Sequence, residues 1–325
     1  MMTTLLTTLA WVCVTVTQLV VLSIVLRVSR SIVFAVLQAV IPYATALNVV
    51  IAVFAVVTTN WQLVAASLLL VAWIVLIILR AMLVHRPHRP AAKPMPRHAM
   101  TVVHANLLYI NSTPTEAIND LLATDADIIT ISELTSELHE ALVIHEHASR
   151  WPHRHVLLET GADGIGVWSR HQLVGMSEHR LISKPALSGT AITSTGQSVG
   201  LVVVHPTPPV NRAKTRDWTP SLKAIGDLAS MMTAPTVVIG DFNTAFWHPP
   251  MRHLLRRGFR SAHLVHGKFL AGTFPVGKKT RPVVRLDHAL VTSGVTVHEV
   301  HDFTVTGSDH RGISVTVSTT AHATH

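Results

Sequence analysis

The sequence predicts an α/β domain built from two packed β-sheets with helices outside, preceded by three membrane-crossing helices. Three observations carry this. The chain opens on three long apolar stretches. Its remainder alternates short β-rich runs with helical patterns. Two of those runs, LVVV and TVVI, are apolar without alternation, as strands buried on both faces are.

The three apolar stretches, residues 5–26, 37–57 and 61–79, each reach the roughly 20 residues a helix needs to cross a bilayer. A cleaved signal peptide is the rival reading for the first. It would need a basic leading region and a small-residue cleavage site, whereas this segment begins MMTTLLTTLA and runs directly into Arg27. Gln38, Pro42 and Asn48 interrupt the second stretch. In lipid such groups turn toward neighbouring helices, so they are expected in helix–helix packing rather than in a transport path.

The formal net charge is +8, but residues 1–99 carry seven Lys/Arg and no carboxylate before Glu116. The rest holds nineteen Lys+Arg against eighteen Asp+Glu and is nearly neutral. The basic balance is therefore no argument for a nucleic-acid-binding domain. Arg27 and Arg30 flank the first span and Arg80 follows the third, which with three spans puts both groups on one side and predicts a cytoplasmic C-terminal domain. The single cysteine, Cys13, excludes an internal disulfide and a cysteine-based zinc site.

The expected organisation is a membrane domain over 1–83, a juxtamembrane linker over 84–99, a catalytic domain over 100–317 and a tail over 318–325. The linker, with four prolines among basic residues, has the composition of a stiff extended segment. In the catalytic domain, strands are expected at TVVHANLL, DIITISEL, GIGVWSR, SVGLVVVH, TVVIGDFN, RLDHALVT and ISVTVS. Helices are expected over 114–123, with Thr113 as N-cap, and over 135–148, 220–232 and 249–257.

Polar groups gather at the ends of these strands, where a scaffold presents chemistry to a cleft. Asp241 and Asn243 follow the apolar run TVVI two residues apart and share a side if the chain stays extended. That pair suits phosphate chemistry, and a simple turn explains it as well. Glu133 ends an apolar strand, where a carboxylate is costly to bury unless it is paired or bound to a cation such as Mg²⁺. His205 ends LVVVH, Asp287 lies in RLDHAL, and Asp309 with His310 precedes the last strand. A histidine held by a carboxylate is a usual acid/base arrangement, although with 22 histidines only position can decide which one matters.

In chain order, HANLLYIN with Asn106, DIITISE with Glu133, VVVHPTPP with His205, IGDFNT with Asp241 and Asn243, RLDHAL with Asp287, and GSDHRG with Asp309 and His310 resemble the endonuclease/exonuclease/phosphatase (DNase I-like) family, in its short bacterial membrane-anchored branch. The resemblance covers nearly all of the region after residue 100. It implies a four-layer α/β sandwich and cleavage of a P–O bond by water with Mg²⁺ or Mn²⁺. It implies a metal held by Glu133, Asn106 and Asp309, and a water positioned or deprotonated by Asp241. It gives His205 and Asn243 the role of stabilising phosphoryl charge, and His310, oriented by Asp287, that of acid/base or phosphate contact. Leu108 stands where some nuclease members carry an acid, which weighs against abasic-site cleavage, and Ser132 stands where glutamine is common.

The expected activity is that of a membrane-anchored, metal-dependent phosphoesterase, on a diester or a monoester. The substrate is a lipid headgroup, a small phosphate ester or a nucleic acid, and no obligate protein partner is evident. A nuclease and a catalytically silent binding module of the same fold are the alternatives. The presence of Glu133, Asp241 and His310 together speaks against the silent one. Arg212, Lys214 and Arg216 in the loop after His205, and Lys278, Lys279 and Arg281 before Asp287, are expected either to grip substrate phosphate or to be solvated loop charge.

Overall fold

The computed structural model describes residues 1–84, 96, 98–145, 148–194, 196–277 and 281–319. Most of the expected linker, Lys278, Lys279 and the last residues of the expected tail lie outside the described residues.

Four helices open the chain: α1 (Met2–Val25), α2 (Ile32–Ala39), α3 (Ile41–Val57) and α4 (Trp61–Val84). Two, Met2–Val25 and Trp61–Arg80, are long and apolar enough to cross a membrane, and the pair α2 and α3 makes a third if it is one bent span. The expected span over 37–57 is divided between two helices. That segment starts inside α2, and the chain bends by 68° before α3 continues. The break has a local cause, because Pro42 lacks an N–H and its fixed φ fits the first turn of a new helix rather than the middle of an old one. Polar groups inside this bundle hold helices together. Gln38 Nε2 donates to Ser23 Oγ at 2.8 Å, and Asn48 Nδ2 to Thr17 Oγ1 at 3.2 Å.

Beyond residue 99 the described residues form two six-stranded sheets. The first contains β1 (Met100–Asn106), β2 (Ile128–Ser132), β3 (His153–Leu157), β4 (Ile165–Ser169), β11 (Val295–Phe303) and β12 (Gly312–Thr319), in the order β11-β12-β1-β2-β4-β3. The second contains β5 (Gln172–Leu181), β6 (Lys184–Ile192), β7 (Ser198–Val204), β8 (Thr236–Asp241), β9 (Arg260–Ser261) and β10 (Asp287–Val291), in the order β5-β6-β7-β8-β10-β9. Each is mixed, with one central parallel pair, β1 with β2 and β7 with β8.

The two-residue period of the strands sorts side chains into layers. Val102 and Ile128 from one sheet and Leu201, Val203, Val237 and Ile239 from the other fill the space between the sheets. Their neighbours Val103, Ala105, Ile129 and Ile131 point outward onto α5 (Pro114–Leu122) and α6 (Ser136–Ile144). On the far side, Val202, Val204 and Val238 meet α7 (Arg212–Ser230) and α8 (Pro249–Arg256). The architecture is therefore the four-layer sandwich, and the apolar runs LVVV and TVVI are continuous because both faces of β7 and β8 are covered.

The same second layer joins the N-terminal helices. His248, just before α8, donates from Nε2 to the Ala35 carbonyl on α2 at 2.7 Å and accepts at Nδ1 from the Ala245 N–H at 2.7 Å. Burial lowers its pKa to about 4, so it stays neutral and both bonds persist.

Several expectations shift. Strands β3, β5, β6, β9 and β11 were not marked by the apolar runs, and β5 shows why, since it is an edge strand whose residues are mostly exposed and polar. Helix α7 begins eight residues before Pro220, capped by Asn211 Oδ1 accepting from the Lys214 N–H at 2.9 Å. The buried Thr215 and Trp218 anchor its first turns. Arg212, Lys214 and Arg216 consequently lie exposed on a helix rather than in a loop. Thr113 precedes α5 without a capping bond from its side chain, which is turned to Asn111. Helix α6 stops at Ile144.

Candidate active site

Strand register assembles the site. Asn106 at the end of β1 pairs with Ser132 at the end of β2, so Glu133 emerges beside it. Val204 pairs with Gly240, which sets His205 beside Asp241, and antiparallel β10 starts with Asp287 opposite that same Asp241. Both central parallel pairs thus deliver polar groups at one edge of the sandwich, and the turn before β12 adds Asp309 and His310.

Two features of the backbone permit this crowding. A Cβ at Gly240 would sit 1.9 Å from the Val204 carbonyl oxygen, so only glycine lets β7 and β8 close up just before Asp241. Leu108, Glu133 and Asn243, each just past a strand end, have φ of +59°, +57° and +50°. Such left-handed conformations cost on the order of 1–3 kcal/mol in side-chain-bearing residues and concentrate at functional sites.

Asn106 ties the two sheets together. Its Nδ2 donates to Glu133 Oε1 at 2.9 Å and to Asp241 Oδ2 at 3.2 Å, while its Oδ1 accepts from the Leu108 N–H at 3.0 Å. Glu133 Oε2 accepts from the Tyr109 N–H at 3.1 Å, and Asp241 Oδ1 from the Asn243 N–H at 2.8 Å. The Asn243 amide is turned to the Pro206 carbonyl at 3.0 Å, where it holds the segment after His205. His205 Nε2 lies 3.8 Å from Glu133 Oε1 and 3.7 Å from Asp241 Oδ2.

His310 completes the edge. Its Nδ1 is 2.8 Å from Asp287 Oδ2, and its Nε2 is 3.8 Å from Asp241 Oδ2. Burial alone would depress this imidazole, but Asp287 first, then Asp241 and Asp309, outweigh it and push the pKa up to about 10. Three carboxylates around one buried ring favour its cation. Asp309 is half-buried and raised from its ordinary value by burial, with Glu133 and Asp241 adding to the effect against His310.

His104 belongs to the site although only its neighbour Asn106 drew attention in the sequence. It is fully buried on β1, bonded through Nδ1 to Thr130 Oγ1 at 3.0 Å, and its Nε2 lies 4.0 Å from Asp287 Oδ1. Burial drives its pKa down to about 3 against the pull of Asp241, and His205 and His310 lower it further. The available signal was its position two residues before Asn106, on the same face of the strand. Ser308 was also missed. Its hydroxyl donates to the Asn106 carbonyl at 2.7 Å and accepts from the His310 N–H at 3.0 Å, fixing the last loop to β1.

The charge balance suits a cation. Glu133, Asp241, Asp287 and Asp309 converge, and among the described residues no lysine or arginine pairs with any of their carboxylates. Among the described residues, Asp287 Oδ1 and His205 Nδ1 are buried without a hydrogen-bond partner. Ligand atoms of Asp241, Asp287 and His310 lie within 4.8 Å of one another, and with His310 as the cation held by Asp287 the oxygens left for a metal are those of Glu133, Asp241 and Asp309. Oxygen-rich sets of this kind fit Mg²⁺ or Mn²⁺.

No curated protein sequence matches the chain at a significant level. Among solved structures, the endonuclease/exonuclease/phosphatase from Beutenbergia cavernae is 16% identical with a TM-score of 0.54, the match covering 69% of this chain and 72% of that one. D. rerio TDP2 complexed with single-strand DNA product is 16% identical at a TM-score of 0.57, over 68% of this chain and 99% of that one. The 3′ phosphatase NExo from Neisseria, bound to product DNA hairpin, is 16% identical at 0.51, over 66% and 98%. At these identities the likeness is one of fold. The sequence model of the endonuclease/exonuclease/phosphatase family matches residues 103–310, from β1 to His310 itself, and with the four-layer fold this establishes that the chain belongs to that family.

Proposed function

We propose that this chain is a membrane-anchored, divalent-metal-dependent phosphoesterase that uses water to cleave a P–O bond. The observation that carries the reading is the Asn106 bridge between Glu133 and Asp241, which concentrates carboxylate oxygens from two sheets at one point with His205 and His310 close by. Residues 1–83 would be the membrane domain and 100–317 the catalytic domain, with 84–99 linking them.

Glu133, Asn106 and Asp309 would hold the cation. Bound there, it would polarise a phosphoryl oxygen and lower the pKa of a ligated water. The chain's own residues do the rest. Asp241, its Oδ1 already engaged by the Asn243 N–H, accepts the proton of the attacking water at Oδ2. His205 and the second N–H of the Asn243 amide stabilise charge on the phosphoryl group. His310, protonated and held by Asp287, directs Nε2–H toward the same region and supplies a proton or a charge-assisted hydrogen bond.

A nuclease activity is the second reading, favoured by the two DNA-bound structures of similar fold. The near balance of charge after residue 99 supports a small ester or lipid headgroup instead, since tight duplex binding uses several Lys/Arg–phosphate contacts. The test is to assay the full-length chain in detergent micelles with Mg²⁺ or Mn²⁺ against DNA, RNA, phosphoinositides, sphingomyelin and small mono- and diesters. Metal-dependent turnover of at least one ester is expected. No turnover of any of them by a folded, metal-binding chain would replace this reading with that of a silent binding module.

A further inference from the structure

A second cluster of polar groups lies away from the catalytic edge, where the N-terminal helices meet the outer helices of the sandwich. Arg27 and Ser29, just after α1, Thr219 and Lys223 on α7, and His253 and Arg256 on α8 line a cavity of about 210 Å³ whose remaining wall is apolar. On the same measure a single water needs only about 10–15 Å³, so a much larger group fits.

The cavity has no acidic member, and none of Arg27, Lys223, His253 or Arg256 forms an ion pair among the described residues. Burial and then the neighbouring Arg27 depress the Arg256 guanidinium. His253 is depressed by burial, followed by Arg256, Arg257, Lys223 and Arg27. Like charges gathered without a counter-ion repel one another, and a bound anion reverses the sign of that energy. Thr219 Oγ1, in the wall, is buried without a hydrogen-bond partner among the described residues. Buried hydroxyls are rarely left so, and an anionic oxygen would accept its proton.

Depth selects the source of the anion. Helices α1 and α4 have 24 residues each, or about 36 Å at 1.5 Å per residue, somewhat more than the roughly 30 Å of bilayer hydrocarbon. Arg27 lies two residues past α1 and Arg80 in the last turns of α4, and Arg252 on α8 feels the charge of both, so both lie at the end of the bundle that meets α8. With α1 and α4 read as spans, that end of the bundle lies at the level of lipid phosphates. Between α1 and α4 runs an apolar groove of about 280 Å³, bounded by Leu22, Val25, Leu69 and Trp73 among others, which reaches to within two residues of Arg27. A free phosphate has no use for such a groove.

We propose that the Arg27–Lys223–Arg256 cavity binds the phosphate headgroup of an anionic phospholipid, with an acyl chain along the α1–α4 groove. It rests on reading α1 and α4 as membrane spans. The site would couple the seating of the catalytic domain to the lipid composition of the leaflet.

The test is native mass spectrometry of the delipidated full-length chain in detergent, titrated with phosphatidylglycerol, with phosphatidylcholine, and with inorganic phosphate as competitor. Wild type should retain phosphatidylglycerol in preference to phosphatidylcholine. Arg256→Gln and Lys223→Gln, both at exposed positions, should each weaken retention about tenfold, the equivalent of one charge-assisted hydrogen bond, and Arg256→Lys should keep most of it. Equal retention of both lipids, or unchanged retention in both glutamine variants, would overturn the site. Displacement by inorganic phosphate as effective as by lipid would overturn the lipid as its occupant. Alkaline carbonate extraction of the chain from phosphatidylcholine vesicles separates the two levels. Release would refute the spans, whereas firm retention with unchanged lipid binding would refute the headgroup site alone.

Discussion

His310 Nδ1 lies 2.8 Å from Asp287 Oδ2, and both groups are buried. The first prediction comes from this pair. Asp287→Asn preserves size but removes the largest charge that raises the imidazole, so the His310 pKa falls from about 10. If the cation form is the working one, activity is lost as pH rises through that pKa, and the alkaline limb of the pH–rate profile should move to lower pH in Asp287→Asn. His310→Ala should cost about 10²–10⁴-fold in kcat, and adding Asp287→Asn should cost little more, because residues acting as one unit are non-additive. Losses that multiply in the double variant would show the two to be independent.

Asn106 donates to both Glu133 and Asp241, so Asn106→Ala should loosen two carboxylates at once. Metal affinity should drop by about 10–100-fold, the usual effect of removing a group that orients ligands, with the fold retained. Isothermal titration with Mn²⁺ measures this directly. An unchanged affinity would mean that the bridge is not part of the cation site.

Folding stability should weaken in mild acid. His104, His248 and His263 are buried with pKa values lowered to about 3, 4 and 4, in each case chiefly by burial, and His288 lies well below its ordinary value for the same reason. Between pH about 4 and 6.5 the unfolded chain therefore binds protons that the folded chain does not, and stability falls as pH falls through that window. Asp302 acts in the same sense at lower pH. Burial would raise it, but the hydrogen bond from His263 and the Arg285 guanidinium hold it below the carboxylate range, and what it contributes is lost as acid protonates it. With each pKa unit equivalent to about 1.4 kcal/mol, thermal unfolding in micelles should drop by roughly 10 °C or more from pH about 7 to about 5. A flat profile would show that these rings are protonated without cost.

Arg27 and Arg80, both within reach of Arg252, lie on the side of the helices that faces the two-sheet domain, and retained basic flanks mark the cytoplasmic side. A reporter fused after His325 that functions only in the cytoplasm should be active, and one that functions only outside it should be silent. The reverse pattern would place the catalytic domain across the membrane.

The central strands were legible because burial on both faces leaves apolar runs such as LVVV and TVVI, and because the polar residue that ends each run is the one the register brings to the edge. Edge strand β5 was not legible, since polar, exposed residues carry no alternation. Pro220 misplaced the start of α7, because a proline that usually opens a helix here sits within one whose cap, Asn211, lies further back. His104 and Ser308 escaped notice for a related reason. Their roles come from contacts with Asp287, Asn106 and His310 that are distant in sequence and meet only when the two sheets pack.

The most direct test of metal-assisted phosphoester cleavage at this edge is hydrolysis of bis(p-nitrophenyl) phosphate by the full-length chain during Mn²⁺ titration, wild type beside Glu133→Gln. Glutamine keeps the volume and, with its oxygen toward the Asn106 amide, that contact, but it gives up the acceptor for the Tyr109 N–H and removes one negative charge. The expected result is activity that saturates with Mn²⁺ and is abolished by EDTA in wild type, and a variant with an unchanged melting temperature, weaker Mn²⁺ binding and turnover reduced by about 10² or more. Equal turnover of the two proteins at limiting Mn²⁺ would contradict the assignment of Glu133, and with it the placement of the reaction at this site.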